Sequence, residues 1–277
     1  MKKIIKKFFK KIATWLKKTK RFVFLTNKYN FYIFRVTQID NLNLFLSRIK
    51  PITTEYELVR FGHDADGGYL IPNDLQGISI LFSPGVSNQA YFENDLSKLG
   101  IKSYMADFSI NNPPIKNIYF DFIKMNIGFE NEPNNINLEN WIKSNVKFEE
   151  DMILQMDIEG GEYNVIIETP SELFKKFRII VIEFHSLDLL LNNASFNFIK
   201  ACFYKLIKDF YIVHIHPNNS SDVAKYRHIE IPSIMEFTFI RKDRVSNVKK
   251  SVNFPHHLDK KNIQDNEELI LPKCFYL

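Results

Sequence analysis

The chain has little that would staple or anchor it. It has only two cysteines in 277 residues, Cys202 and Cys274, which stand far apart and in no metal-type spacing. A disulfide framework is thereby disfavoured, and a reducing compartment, the cytoplasm, is expected. No apolar run reaches the roughly 18–20 residues of a membrane-spanning helix. Glycine is scarce, nine in all, so the places where glycines cluster carry information. No internal repeat and no low-complexity segment occurs. Residues 1–21 contain no acid, yet hold ten of the 37 lysines and arginines. The rest of the chain therefore carries 27 basic against 32 acidic residues. The net charge of +5 belongs to this leader, and the acidic body argues against a nucleic-acid-binding surface.

Within the leader, Ile4, Ile5, Phe8, Phe9, Ile12, Trp15 and Leu16 recur at helical spacing, with lysines filling the other face. This predicts an amphipathic helix lying on an anionic membrane surface, at the inner face of the membrane. A solvated tail, or a helix docked on the protein's own body, is the plainer reading. A secretory signal is excluded, because Lys10, Lys11, Lys17 and Lys18 interrupt any apolar core.

Residues 22–54 read as a connector with a helix around Asp40 to Ile49. From residue 55 to 245, short β-branched runs alternate with longer helical patterns, which predicts βαβ units and a doubly wound, mostly parallel sheet. Strands are expected at 78–82, 101–106, 152–156, 178–184, 211–215 and 235–240. Helices are expected at 88–99, 136–144 and 195–209, the last burying Phe198, Ile199, Cys202, Phe203, Leu206 and Ile207. Residues 246–277 are a C-terminal extension packing on this domain.

The strongest chemical signal is Asp157-Ile158-Glu159-Gly160-Gly161-Glu162 after the 152–156 strand. In an open α/β sheet, ligands bind at the carboxyl ends of the strands. Two acids crowded there repel each other and lose water, so a cation, donors or a substrate must compensate. Asp157 and Glu159 can take a proton from a hydroxyl, or hold a divalent cation that acidifies it. A capping pair at the next helix is the structural alternative. Glu183 with His185, and His214 with His216, alternate at the ends of two later strands, so each pair points to one side. Such histidines suit a general base near neutral pH, or a metal. Gly85 ends the first strand in a turn that lets backbone approach a ligand. Asp107 ends the second strand about 22 residues later, near the roughly 20-residue spacing of an acid that binds ribose hydroxyls.

Four segments, in order, carry a resemblance. They are Asp66-Gly67-Gly68-Tyr69; Leu81-Phe82-Ser83-Pro84-Gly85-Val86 with Phe92-Glu93; Met156 to Glu162; and Glu183-Phe184-His185 followed by His214-Ile215-His216-Pro217-Asn218-Asn219. Over residues 55–245 the chain resembles the FkbM-type group of S-adenosylmethionine-dependent methyltransferases. The resemblance implies a Rossmann-like fold and methyl transfer to an oxygen, on a sugar or similar hydroxyl of a glycan or secondary metabolite. It also implies cofactor contacts at Gly67, Gly68, Gly85, Glu93 and Asp107, and acceptor chemistry at Asp157, Glu159, His185 and His216. The acceptor pocket is expected from residues 108–135 and 217–232. Two other readings stand beside it. One is a hydrolase or nucleotide-sugar enzyme with a metal at Asp157, Glu159, His185 and His216. The other is a non-catalytic membrane-surface protein.

Overall fold

The computed structural model describes residues 34–129, 133–146, 150–250 and 253–277, with Lys7, Lys10, Lys11 and Thr14 of the leader. The chain divides into two units, Met1–Val36 and Thr37–Leu277. In the first, those four leader residues are helical and exposed. The apolar stripe from Ile4 to Leu16 lies outside the described residues. Among the described residues, no helix is long and apolar enough to cross a membrane.

The second unit is built on a seven-stranded sheet. In chain order its strands are β1 (Ile80–Pro84), β2 (Lys102–Ala106), β3 (Phe120–Ile123), β4 (Met152–Met156), β5 (Phe177–Phe184), β6 (Phe210–Pro217) and β7 (Met235–Arg241). Their spatial order is β6-β7-β5-β4-β1-β2-β3. β1 to β5 run parallel, and β7 enters antiparallel between β5 and β6. The fully buried strands β4 and β5 are near-continuous apolar runs, as a sheet covered on both faces requires.

Among the described residues, six α-helices accompany the sheet: α1 (Ile39–Arg48), α2 (Tyr91–Ser97), α3 (Leu138–Asn145), α4 (Glu162–Glu168), α5 (Ser171–Phe174) and α6 (Asn193–Asp209). One face carries a large core that includes Phe45 of α1, Trp141 of α3, Ile166 of α4 and Phe203 of α6. The other carries a smaller core in which Phe92 and Leu96 of α2 meet Leu81, Ile153 and Val181 of the sheet. Helices on both faces make this the expected doubly wound, Rossmann-like architecture.

Three local expectations are corrected. Phe198 is 43 % exposed, because Phe196 takes the core-facing position with Ile199, Cys202, Phe203 and Leu206. β3 lies inside the stretch read as an acceptor loop; its Phe-Asp-Phe-Ile is too short a pattern to stand out. Likewise residues 217–232 contain a hairpin, Val223–Tyr226 against Ile229–Pro232. A further hairpin pairs Leu58–Gly62 with Gly68–Pro72.

Leaving β1 the chain turns towards β2 and β3, whereas leaving β4 it turns towards β5. The sheet therefore reverses direction between β1 and β4. The crevice outside the carboxyl ends of those two strands is the topological switch point, where such folds take their ligands.

Candidate active site

The two loops at this switch point are locked together. Asp157 N–H donates to Pro84 O at 3.2 Å, and Gly85 N–H donates to Ala106 O at 2.9 Å. Gly85 has φ +85°, and a β-carbon there would stand 1.4 Å from the Asp157 carbonyl oxygen. The glycine is needed for the approach of one loop backbone to another, as well as for the turn.

Two cavities flank this contact. One, of about 410 Å³, is lined by Gly85, Ser87, Asp107, Ile127, Asp157 and Ile158, among others. The other, of about 120 Å³, lies against Asp66, Gly67, Tyr69, Gln89, Glu93 and Gln155. Gly85, Ser87, Asp157 and Glu159 border both. Asp107 accepts from Ser87 N–H, and from the N–H and hydroxyl of Ser109, each at 2.7 Å. A carboxylate has about four acceptor positions, so one remains for a ligand hydroxyl.

Glu93 is buried under the smaller cavity. Its Oε1 meets Ser83 Oγ, which also lies 2.7 Å from Gln155 Oε1. One hydroxyl hydrogen cannot serve both acceptors. Burial pushes the Glu93 carboxyl up, and the Ser83 hydrogen bond opposes the rise. Gln155 Nε2 in turn donates to the Tyr69 hydroxyl at 3.1 Å. Glu93 thus reaches the site through this chain of hydrogen bonds.

Asp157 and Glu159 lie at the start of a tight turn, and His185 follows β5. Glu159 adopts a left-handed φ of +55°, uncommon for a residue with a side chain. His185 Nε2 faces three carboxylates: Glu159 Oε2 at 3.4 Å, Glu183 Oε1 at 3.7 Å and Asp157 Oδ1 at 3.8 Å. Its Nδ1 lies 3.2 Å from Glu162 Oε1. Glu162 is fully buried, and the same oxygen accepts from Ile158 and Gly160 N–H at 3.1 Å each. The Glu162 carboxylate therefore ties the turn to the imidazole.

Electrostatics follow from this crowding. Burial raises the Asp157 carboxyl to about 7; His185 opposes the rise, and Glu159 and Glu162 add to it. Burial, with the Asp157 charge, holds Glu183 well above the carboxylate range. For His185, burial disfavours the cation, but the Glu162 hydrogen bond and the surrounding acids outweigh it and raise the imidazole. Asp157 Oδ1 is buried with no hydrogen-bond partner.

Not every expected residue joins this cluster. His216 lies on β6, two strands from Glu183's; it pairs with Glu236 of the intervening β7 and engages the C-terminal segment. There Asp259 Oδ1 lies 2.8 Å from His214 Nε2 and 3.7 Å from His216 Nδ1. Asn262 Nδ2 donates to Glu236 at 2.9 Å and to Asp66 at 3.2 Å, tying this segment to the wall of the smaller cavity. Gly67 borders that cavity; at Gly68 a β-carbon would stand 2.0 Å from His63 O, so this glycine serves the hairpin. Sequence reasoning missed Glu162, Gln155, Asp259 and Asn262 as site residues. Only Glu162 carried a visible signal, being the last acid of the Asp157–Glu162 segment.

Residues 78–206 match the family model described as Methyltransferase FkbM domain. No curated protein matches the chain. Among solved structures, a fibrillarin/Nop5p complex is similar at 10% identity, over 60% of this chain and 74% of that one, with a TM-score of 0.36. A Pyrococcus horikoshii protein described as a candidate RNA methyltransferase is 11% identical over 73% of this chain and 97% of that one, with a TM-score of 0.34. A Thermoplasma acidophilum protein is 10% identical over 61% and 78%, with a TM-score of 0.31.

Proposed function

We propose that this S-adenosylmethionine-dependent methyltransferase domain acts on oxygen, transferring the methyl group to a hydroxyl of a sugar or similar small acceptor. The observation that carries this reading is the position of Asp157. It borders both cavities, and its Oδ1 is buried without a partner. An acceptor hydroxyl seated there satisfies that oxygen.

The residues suit the cofactor. Ile127 and Ile158 give the larger cavity apolar walls and Asp107 gives it an acid, the mixture a nucleoside requires. The buried, unpartnered Gln89 Oε1 faces Gly67 and offers an acceptor beside the smaller cavity. When bound, the cofactor supplies an electrophilic methyl group on a sulfonium centre. The chain's own task is then to align the hydroxyl and remove its proton. Asp157 accepts that proton, Glu159 and His185 orient the acceptor, and Glu162 holds the His185 ring.

The acidic body makes a small molecule or glycan the acceptor class, rather than nucleic acid. The leader, with its ten basic residues, is the part suited to an anionic membrane. Calorimetric titration with S-adenosylhomocysteine, followed by a methyl-transfer screen over hydroxyl acceptors, tests the reading. Micromolar binding with oxygen methylation supports it; no binding, or methylation of nitrogen or carbon only, overturns it.

A further inference from the structure

We propose that Asp157, Glu159 and His185 bind a divalent cation of the Mn²⁺ class, with Glu162 holding His185 in the ligating orientation. One oxygen each from Asp157 and Glu159 and one ring nitrogen of His185 lie within 4.8 Å of one another. Three features of their arrangement point to a cation.

First, His185 Nε2 meets its three carboxylate neighbours at 3.4–3.8 Å, beyond the hydrogen-bond range of about 2.7–3.2 Å. The imidazole nitrogen thus stands close to three carboxylates without a short hydrogen bond to any of them. Neighbouring ligands of an octahedral ion at about 2.1 Å are about 3 Å apart, so the His185–Glu159 and His185–Asp157 separations of 3.4 and 3.8 Å must close by about 0.4–0.8 Å around an ion. Glu159, with its side chain 88% exposed, is free to supply that movement.

Second, the Glu162–His185 contact is the carboxylate–histidine pair found behind metal-bound imidazoles. With Nδ1–H donated to Glu162, the Nε2 lone pair points at the acids. That arrangement is repulsive unless Nε2 carries a proton or a cation sits in front of it. Third, Glu159 is held in a left-handed backbone conformation, φ +55°, that a residue with a side chain adopts at a cost. That cost is recovered if its carboxylate is a ligand.

Two carboxylates and one imidazole suit Mn²⁺ or a similar borderline-hard ion, leaving positions for water and a substrate oxygen. Binding of the ion is independent of the methyl-transfer reading; its role rests on that reading. A hydroxyl coordinated to the ion loses its proton more readily, passing it to the second oxygen of Asp157. The freed oxygen forms its bond to the methyl carbon, and sulfur keeps the electron pair of the broken C–S bond.

The test uses chelator-treated full-length protein titrated with Mn²⁺, free Mn²⁺ being followed by electron paramagnetic resonance. The expected result is one ion per chain with spin-echo modulation from an imidazole nitrogen. Glu159→Gln should weaken binding at least tenfold with an unchanged melting temperature, and Glu162→Gln by about 10–100-fold. No bound Mn²⁺, no nitrogen modulation, or full binding in Glu159→Gln overturns the proposal; the last would assign the ion elsewhere. S-adenosylhomocysteine is titrated in parallel. Its binding without Mn²⁺ binding sinks the cation alone, whereas Mn²⁺ binding without it sinks the methyltransferase reading and leaves the cation.

Discussion

Gly85 touches the backbone of Asp157: a β-carbon at Gly85 would fall 1.4 Å from the Asp157 carbonyl oxygen. The residue that ends β1 therefore sets how far the acid after β4 can advance into the crevice. Gly85→Ala must push the two loops apart while adopting φ +85°. It should cost about 2–4 kcal/mol of stability and abolish S-adenosylhomocysteine binding. Thermal unfolding and calorimetry check this; a variant that melts and binds like the parent would refute the contact.

Asp157→Asn keeps the backbone bond to Pro84 and the side-chain volume but removes the negative charge. Methyl transfer should fall by about 10²–10⁴-fold, with cofactor-product binding retained. Parent-like turnover would remove Asp157 from the chemistry.

Asp107→Ala releases Ser87 and Ser109 and takes away the spare acceptor in the larger cavity. S-adenosylhomocysteine affinity should drop at least tenfold, about 1.4 kcal/mol. Titration of the variant with adenosine alone reports the same loss if Asp107 meets the ribose, and no change if it does not.

The Asp259 latch should make stability bell-shaped in pH. Burial opposes ionisation of Asp259, but the His214 hydrogen bond and the nearby His216 ring hold its carboxyl far below the usual 3.8. Its contribution is present above 3.8 and fades as pH falls towards that lowered value. For His216, burial disfavours the cation, yet Asp259 and Glu236 raise it above the usual 6.5, with Arg60 opposing. Its contribution is present below 6.5 and fades as pH rises through the raised value. Asp259→Asn should lower stability by about 2 kcal/mol near pH 5–6 and flatten both limbs. Melting temperatures from pH 3 to 9 decide; an unchanged profile would deny the latch.

Deleting residues 1–21 should release the protein from vesicles rich in anionic lipid without changing methyl transfer to a soluble acceptor. Sedimentation with vesicles measures this, and undiminished binding would exclude the leader as the anchor.

The parallel sheet was readable because β4 and β5 are near-continuous apolar runs, and the crevice because acids and glycines crowd the end of β4. β3 was not: four residues of Phe-Asp-Phe-Ile give too little periodicity. The alternation of His214 and His216 marked one face of β6, but what that face meets depends on Asp259, 43 residues beyond His216. Gln155 gives no local sign of its role, and Glu162, visible as the last acid of its segment, gives none of what it holds. Their partners come from the hairpin and from β5.

Asn262 reaches back to Asp66, 196 positions earlier, and closes the wall of the smaller cavity. Loops spanning that much chain are entropically slow to close. A ribosome-bound chain can complete β1 to β5, with Asp157 and His185 already in register, and still lack a finished pocket. Catalytic competence should therefore appear late in biosynthesis, after the segment around Asp259 and Asn262 has docked.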